Sequence, residues 1–164
     1  MRGLRFASVL LALMAGGAGA QPGGGSAQVD YLVVRKAARA IELYSEGRRI
    51  GAIGAIQLGD EPAGPKRFQG DERTPEGRYT IDYGNPDSAY HLSLHISYPD
   101  ARDAAFAASY GRHPGGAIFI HGQPNGHPGR VPGDWTDGCI AVSNAEIEYL
   151  WQVVPDGAVI DILP

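Results

Sequence analysis

The sequence predicts a mainly β, sandwich-like domain with two short α-helices, and three observations point there. Glycine and proline are abundant, 24 and 12 in 164 residues, which argues against a helical bundle. Short runs rich in Val, Ile, Leu and Tyr recur between turn-forming residues, the pattern of strands. Only two segments carry helix signals. A hydrophobic fraction of 43% is enough for one ordinary core.

In order, VDYLVVR (29–35), AIELYS (40–45) and RIGAIGAIQL (49–58) read as a β meander, with Glu46-Gly47-Arg48 as a hairpin connection. Gly59 to Asp71 is polar and loop-like. Thr74-Pro75-Glu76-Gly77 suits a type I turn, with Pro second and Gly fourth. GRYTIDY (77–83) returns to a strand. YHLSLHISY (90–98) alternates, with Leu92, Leu94 and Ile96 on the core face and His91, Ser93, His95 and Ser97 opposite. Asp100 to Tyr110 is Ala-rich and helical, closed by Gly111. AIFIH (117–121) is a short strand, and CIAV (139–142) resumes the apolar pattern. Ser143 and Glu146 form a capping box that opens a helix through Val153, and AVIDIL (158–163) is the closing strand.

The first twenty residues read as an export signal: Arg2 and Arg5, an apolar stretch from Phe6 to Met14, and the A-x-A site Ala18-Gly19-Ala20. That stretch is about half the roughly 18 residues of a membrane span. Residues 21–28 (QPGGGSAQ) read as a linker, leaving 29–164 as the domain, and a periplasmic location is expected. Without Arg2 and Arg5 the chain has 12 basic and 18 acidic side chains, so its surface has no electrostatic reason to bind nucleic acid. No membrane contact is expected beyond the export signal, and a monomer is expected.

Cys139 is the single cysteine, which excludes an intramolecular disulfide and a Cys-cluster zinc site. An unpaired thiol on an exported chain calls for a chemical role. Between His121 and Cys139 lie 17 residues with five glycines and three prolines, a loop of uncommon length whose two ends can meet at one rim. A thiol is mostly protonated at neutral pH, so a neighbouring imidazole makes it a competent nucleophile, and a third group must hold the imidazole in one tautomer. Gly138 leaves room for an incoming carbonyl, and the peptide N–H groups of Gly138 and Cys139 are candidates for an oxyanion hole. The bland reading is that Cys139 is a small buried hydrophobe and His121 a polar rim residue.

Ile118-Phe119-Ile120-His121-Gly122, the 18-residue step to Cys139, and Thr136-Asp137-Gly138-Cys139-Ile140 resemble the L,D-transpeptidase (YkuD-type) catalytic domain, whose signature is His-Gly followed by Ser/Thr-x-Gly-Cys-Ile/Val. Gly64-Pro65-Lys66, the stretch from Gly70 to Tyr79, and Pro155-Asp156-Gly157 fit the same family, so the resemblance spans residues 29–163. It implies an L,D-transpeptidase-like fold, Cys139 as nucleophile, His121 as base and the carbonyl of Gly122 as the orienting group. It further implies cysteine acyl transfer on peptidoglycan stem tetrapeptides through a Cys139 thioester, in cell wall biogenesis or degradation and cell shape, with no metal or other cofactor. An amine acceptor gives a cross-link, and water gives an L,D-carboxypeptidase. A non-catalytic peptidoglycan-binding module and a metal hydrolase are the competing classes.

Two positions depart from the family pattern. Asp137 stands where many members have His, and Ala141 where many have Arg, which removes a possible carboxylate clamp. Asp137 opposes thiolate formation unless its carboxylate points away or pairs with a cation, for which Arg73, Arg112 and Arg130 are candidates. Thr136, Asp137, Trp135 and His95 are the candidate groove residues, with Trp135 either a substrate-facing lid or a loop anchor. His91 and His95 share a strand face but lie in no metal-ligand motif. The resemblance makes Thr74 to Gly77 a groove wall instead of a turn.

Overall fold

The computed structural model describes residues 27–164. The predicted export signal and most of the linker lie outside the described residues. The strands are β1 (Tyr31–Arg35), β2 (Ala40–Ser45), β3 (Arg48–Ile53), β4 (Gly77–Asn85), β5 (Ser93–Ile96), β6 (Ile118–His121), β7 (Ile140–Ala141) and β8 (Val159–Leu163). The helices are α1 (Ala101–Ser109) and α2 (Asn144–Val153). The strands form one mixed sheet in the order β3-β2-β1-β8-β4-β5-β6-β7, with β1–β8 and β6–β7 parallel.

The sandwich-like layers are the two ends of this sheet, which curls at β4. The first half of β4 pairs with β8, the second half with β5, and the register shifts between Ile81 and Gly84. Such an irregularity bends a strand and increases its twist. Curling brings the last strand to the chain leaving β3, where Gln57 and Ala141 form an antiparallel bridge. Leu32, Ile41, Ile81, Ile96, Ile120, Ile140 and Ile160 from both ends therefore share one buried cluster.

Both helices begin as their sequences predict. The Asp100 carboxylate accepts from the N–H groups of Arg102 and Asp103, and Ser143 and Glu146 exchange capping hydrogen bonds. Ile147, Leu150 and Val153 place one face of α2 in the core.

Three expectations are corrected. The strand predicted over 49–58 stops at Ile53, because the chain turns at Ala55 (φ 53°) and carries Ile56 to Leu58 across to β7. The strand predicted over 90–98 narrows to Ser93–Ile96, since His91 sits at φ 70°. The predicted turn at Thr74 to Gly77 is an extended approach to β4. Its i to i+3 bond is absent because the Thr74 carbonyl accepts from the Lys66 N–H (3.2 Å) and the buried Lys36 Nζ (3.1 Å), while Gly77 pairs with Ile162.

Candidate active site

Sheet register brings His121 and Cys139 to one cavity. In the parallel pair β6–β7, Ile120 lies opposite Ile140 and His121 opposite Ala141. Ile120 and Ile140 are fully buried in the core, so strand alternation turns His121 and Cys139 to the opposite face. There both line a cavity of about 480 Å³, with Tyr90, Phe119, Trp135 and Asp137 among its walls.

The imidazole is held from three sides. Its Nδ1 lies 2.7 Å from the carbonyl oxygen of Gly122. A carbonyl only accepts, so Nδ1 carries the proton and Nε2 keeps a lone pair for use as a base. Tyr90 packs on the ring at 4.5 Å between centroids, and Trp135 meets it edge-on at 5.6 Å. Gly122 is required by close approach: a Cβ there would lie 2.7 Å from Asn144 Oδ1 and 2.9 Å from the Tyr90 carbonyl. Asn144, the first residue of α2, accepts from the Gln123 N–H at 2.8 Å and fixes the chain just after the histidine.

The nucleophile turn is braced from behind. Gly138 adopts φ +122°, and a Cβ there would lie 2.4 Å from the Arg73 carbonyl oxygen. The Arg73 carbonyl thus backs this turn, and none of Thr74 to Gly77 lines the cavity. The Thr136 hydroxyl donates to the Cys139 carbonyl (2.8 Å) and accepts from the Gly138 N–H (3.2 Å). Gly138's amide is therefore occupied in this state, which leaves the Cys139 amide as the readier oxyanion donor.

The long loop is tied down along its length. Gln57 Nε2 donates to the carbonyls of Val131 and Gly133, and Gln123 Nε2 donates to Val142 (2.7 Å) and to Gln57 Oε1 (3.1 Å). Gln123 Oε1 accepts from the Val131 N–H (2.8 Å), and Asp134 accepts from the Leu58 N–H (2.8 Å) while pairing with Arg39. The abundant Gly and Pro give the loop its shape, and buried amides give it rigidity.

Electrostatics describe a resting neutral pair. Burial lowers the pKa of His121 below the ordinary imidazole value, partly offset by the Gly122 carbonyl. Burial, with the Asp137 charge adding to it, pushes the Cys139 thiol up to about 11, against a backbone hydrogen bond from Phe119 and the charge of Lys66. The thiol proton stays on sulfur at rest, where Sγ donates to the Ala117 carbonyl at 3.6 Å, so a base would have to remove it for the thiol to act as a nucleophile.

Among the candidate groove residues, Trp135, Thr136 and Asp137 line the cavity and His95 does not. His95 stands behind it, in edge contact with Phe119 (4.8 Å), stacked on Tyr83 (4.5 Å) and bonded through Nδ1 to Asp82 (2.6 Å). His91 is paired with Glu148. Trp135 both walls the cavity and packs on His121. Tyr90 and Phe119 were not singled out from the sequence; Phe119 sits two residues before His121 and so shares its face. Among the described residues no group of three His, Cys, Asp or Glu is placed to hold a metal ion.

Fold and site define a class, the curled β-domains that present a cysteine and a histidine from adjacent strands at one cavity. The chain belongs to the L,D-transpeptidase (YkuD) catalytic-domain family, which it matches over residues 29–162. It is 28% identical over 129 residues to YafK of Escherichia coli K12, itself a candidate L,D-transpeptidase, covering 76% of this chain and 46% of YafK. It is 29% identical to the Campylobacter jejuni helical cell shape determining protein Pgp2, with a TM-score of 0.65 over 84% of this chain and 48% of that one. The Enterococcus faecium L,D-transpeptidase, at 14% identity, shares the fold with a TM-score of 0.56 over 84% of this chain and 50% of its own. The chain spans about half the length of each of these relatives.

Proposed function

We propose that the protein is a cysteine acyltransferase acting on peptidoglycan stem tetrapeptides in the periplasm. The observation that carries this reading is the 2.7 Å contact of His121 Nδ1 with the Gly122 carbonyl, in a cavity that also holds Cys139. Sulfur attacks the carbonyl carbon of the third stem residue as His121 Nε2 takes the thiol proton. The bond to the terminal D-Ala breaks, its nitrogen leaves with that proton, and a Cys139 thioester remains. An amine then displaces the sulfur and forms the cross-link. His121 neutral at rest is suited to both proton movements.

Incubation with a tetrapeptide or a carbapenem, an inhibitor class that acylates the family's cysteine, should add one acyl mass per molecule. Cys139→Ala should abolish the adduct. No adduct with either reagent would favour a peptidoglycan-binding module, and release of tripeptide alone in the presence of an amine acceptor would make the enzyme a carboxypeptidase.

A further inference from the structure

Among the described residues, Asp137 is the one formally charged side chain lining the cavity. It is exposed, and it makes no hydrogen bond or ion pair with any described residue. Of the three candidate cations, Arg130 is engaged with Glu146 and the Ala55 carbonyl and Arg112 lies over the Phe68 ring at 3.8 Å, while the Arg73 guanidinium lies toward Gly64 and makes no ion pair with Asp137. Ala141, two residues after the nucleophile, is fully buried and carries no charge. With His121 neutral, the side chains lining the cavity therefore carry a single negative charge beside the nucleophile and no positive one. Lys66, whose charge also reaches Cys139, lies outside that lining and is paired with Asp71. The Asp137 charge works against the thiolate, so the first step gains nothing from it.

We infer that Asp137 is a specificity-determining residue that seats a cationic group carried by the amine partner, so that the site favours amines with a second positive charge over amines that carry a carboxylate. This rests on the acyltransferase reading above. In the transfer step the neutral amine nitrogen attacks the thioester carbon, the C–N bond forms and the C–S bond breaks. The proton lost by that nitrogen passes through His121 Nε2 to the Cys139 sulfur, while the distal cation stays against the Asp137 carboxylate. A carboxylate-bearing amine would place two like charges at the same rim, where they repel.

The test forms the thioester from a tetrapeptide and offers 1,3-diaminopropane or glycine, scoring amide product against hydrolysis by mass spectrometry. Each protein supplies its own ratio of diamine to glycine capture, so differences in acylation rate and intrinsic amine reactivity cancel between variants. The ratio should fall about tenfold in Asp137→Asn, the size expected of one near charge in a partly solvated site, and be largely kept in Asp137→Glu. An unchanged ratio in Asp137→Asn overturns this inference and leaves the acyltransferase reading standing. Absence of any thioester in the unmodified protein overturns both.

Discussion

His121 Nδ1 donates to the carbonyl of its own neighbour, Gly122, at 2.7 Å, so the base is oriented by backbone and no carboxylate is needed. The contact depends on Gly122 staying bare, because its α-carbon is pressed between Asn144 and the Tyr90 carbonyl. Gly122→Ala must push that carbonyl out of line. It should destabilise the fold by roughly 1–3 kcal/mol and lower the acylation rate by roughly a hundredfold, since small misplacements of a base are costly. Urea denaturation and carbapenem adduct kinetics check the two effects, and normal acylation in a folded Gly122→Ala protein would refute this role for the Gly122 carbonyl.

The pH behaviour follows from two opposite shifts. Acylation needs His121 neutral, and burial lowers its pKa, so the rate should stay level down to neutral pH and fall only below the ordinary imidazole value of 6.5. Cys139 is pushed up to about 11, so alkylation by iodoacetamide should keep rising past pH 9 without a plateau. Asp137→Asn removes a charge that opposes the thiolate and should move that rise to lower pH. An alkylation plateau near pH 7 would mean that the resting site is a thiolate–imidazolium pair.

Much of this was legible in the sequence because it rested on local signals. The capping residues Asp100 and Ser143 sit where periodicity begins, and the Gly/Pro-rich loop marks its own ends at His121 and Cys139. What was not legible depends on partners distant in the chain. Thr74 to Gly77 has good turn residues, yet Lys36 and Lys66 claim the carbonyl that the turn would use. His95 alternates correctly with Ser93, but only the pairing of β5 with β6 shows that Phe119 stands between it and the cavity. Asp137 looked able to find a cation, and none of the three candidate arginines pairs with it: Arg130 is bound to Glu146 and Arg112 lies over Phe68.

Thr136 holds the nucleophile turn through one oxygen that donates to the Cys139 carbonyl and accepts from Gly138. Thr136→Val keeps the shape and removes both bonds in a buried setting, which should cost about 1–3 kcal/mol. The freed turn should also slow acylation by roughly ten- to a hundredfold. Thr136→Ser retains the oxygen and should recover most of the rate. If the Val variant acylates at the full rate while the Ser variant is slow, the methyl group and not the hydroxyl positions Cys139.

Gln123 tests whether the loop's rigidity comes from buried amides. Its side chain is buried, and it satisfies the Val131 N–H, the Val142 carbonyl and Gln57 Oε1 at once. Gln123→Leu keeps the approximate volume and leaves those groups without this partner. Each buried polar group so stranded costs about 1–3 kcal/mol, and partial relaxation toward water should hold the total near 2–4 kcal/mol. Because Val131 and Gly133 are also anchored through Gln57, the segment from Pro124 to Asp134 should loosen first. Trypsin should then cut after Arg130 well before the rest of the domain opens, and the urea midpoint should fall. Trp135 and Thr136 lie just beyond that segment, so acylation should slow even in molecules that remain folded. A variant with an unchanged urea midpoint and an intact Arg130 bond would show that proline and glycine alone fix the loop.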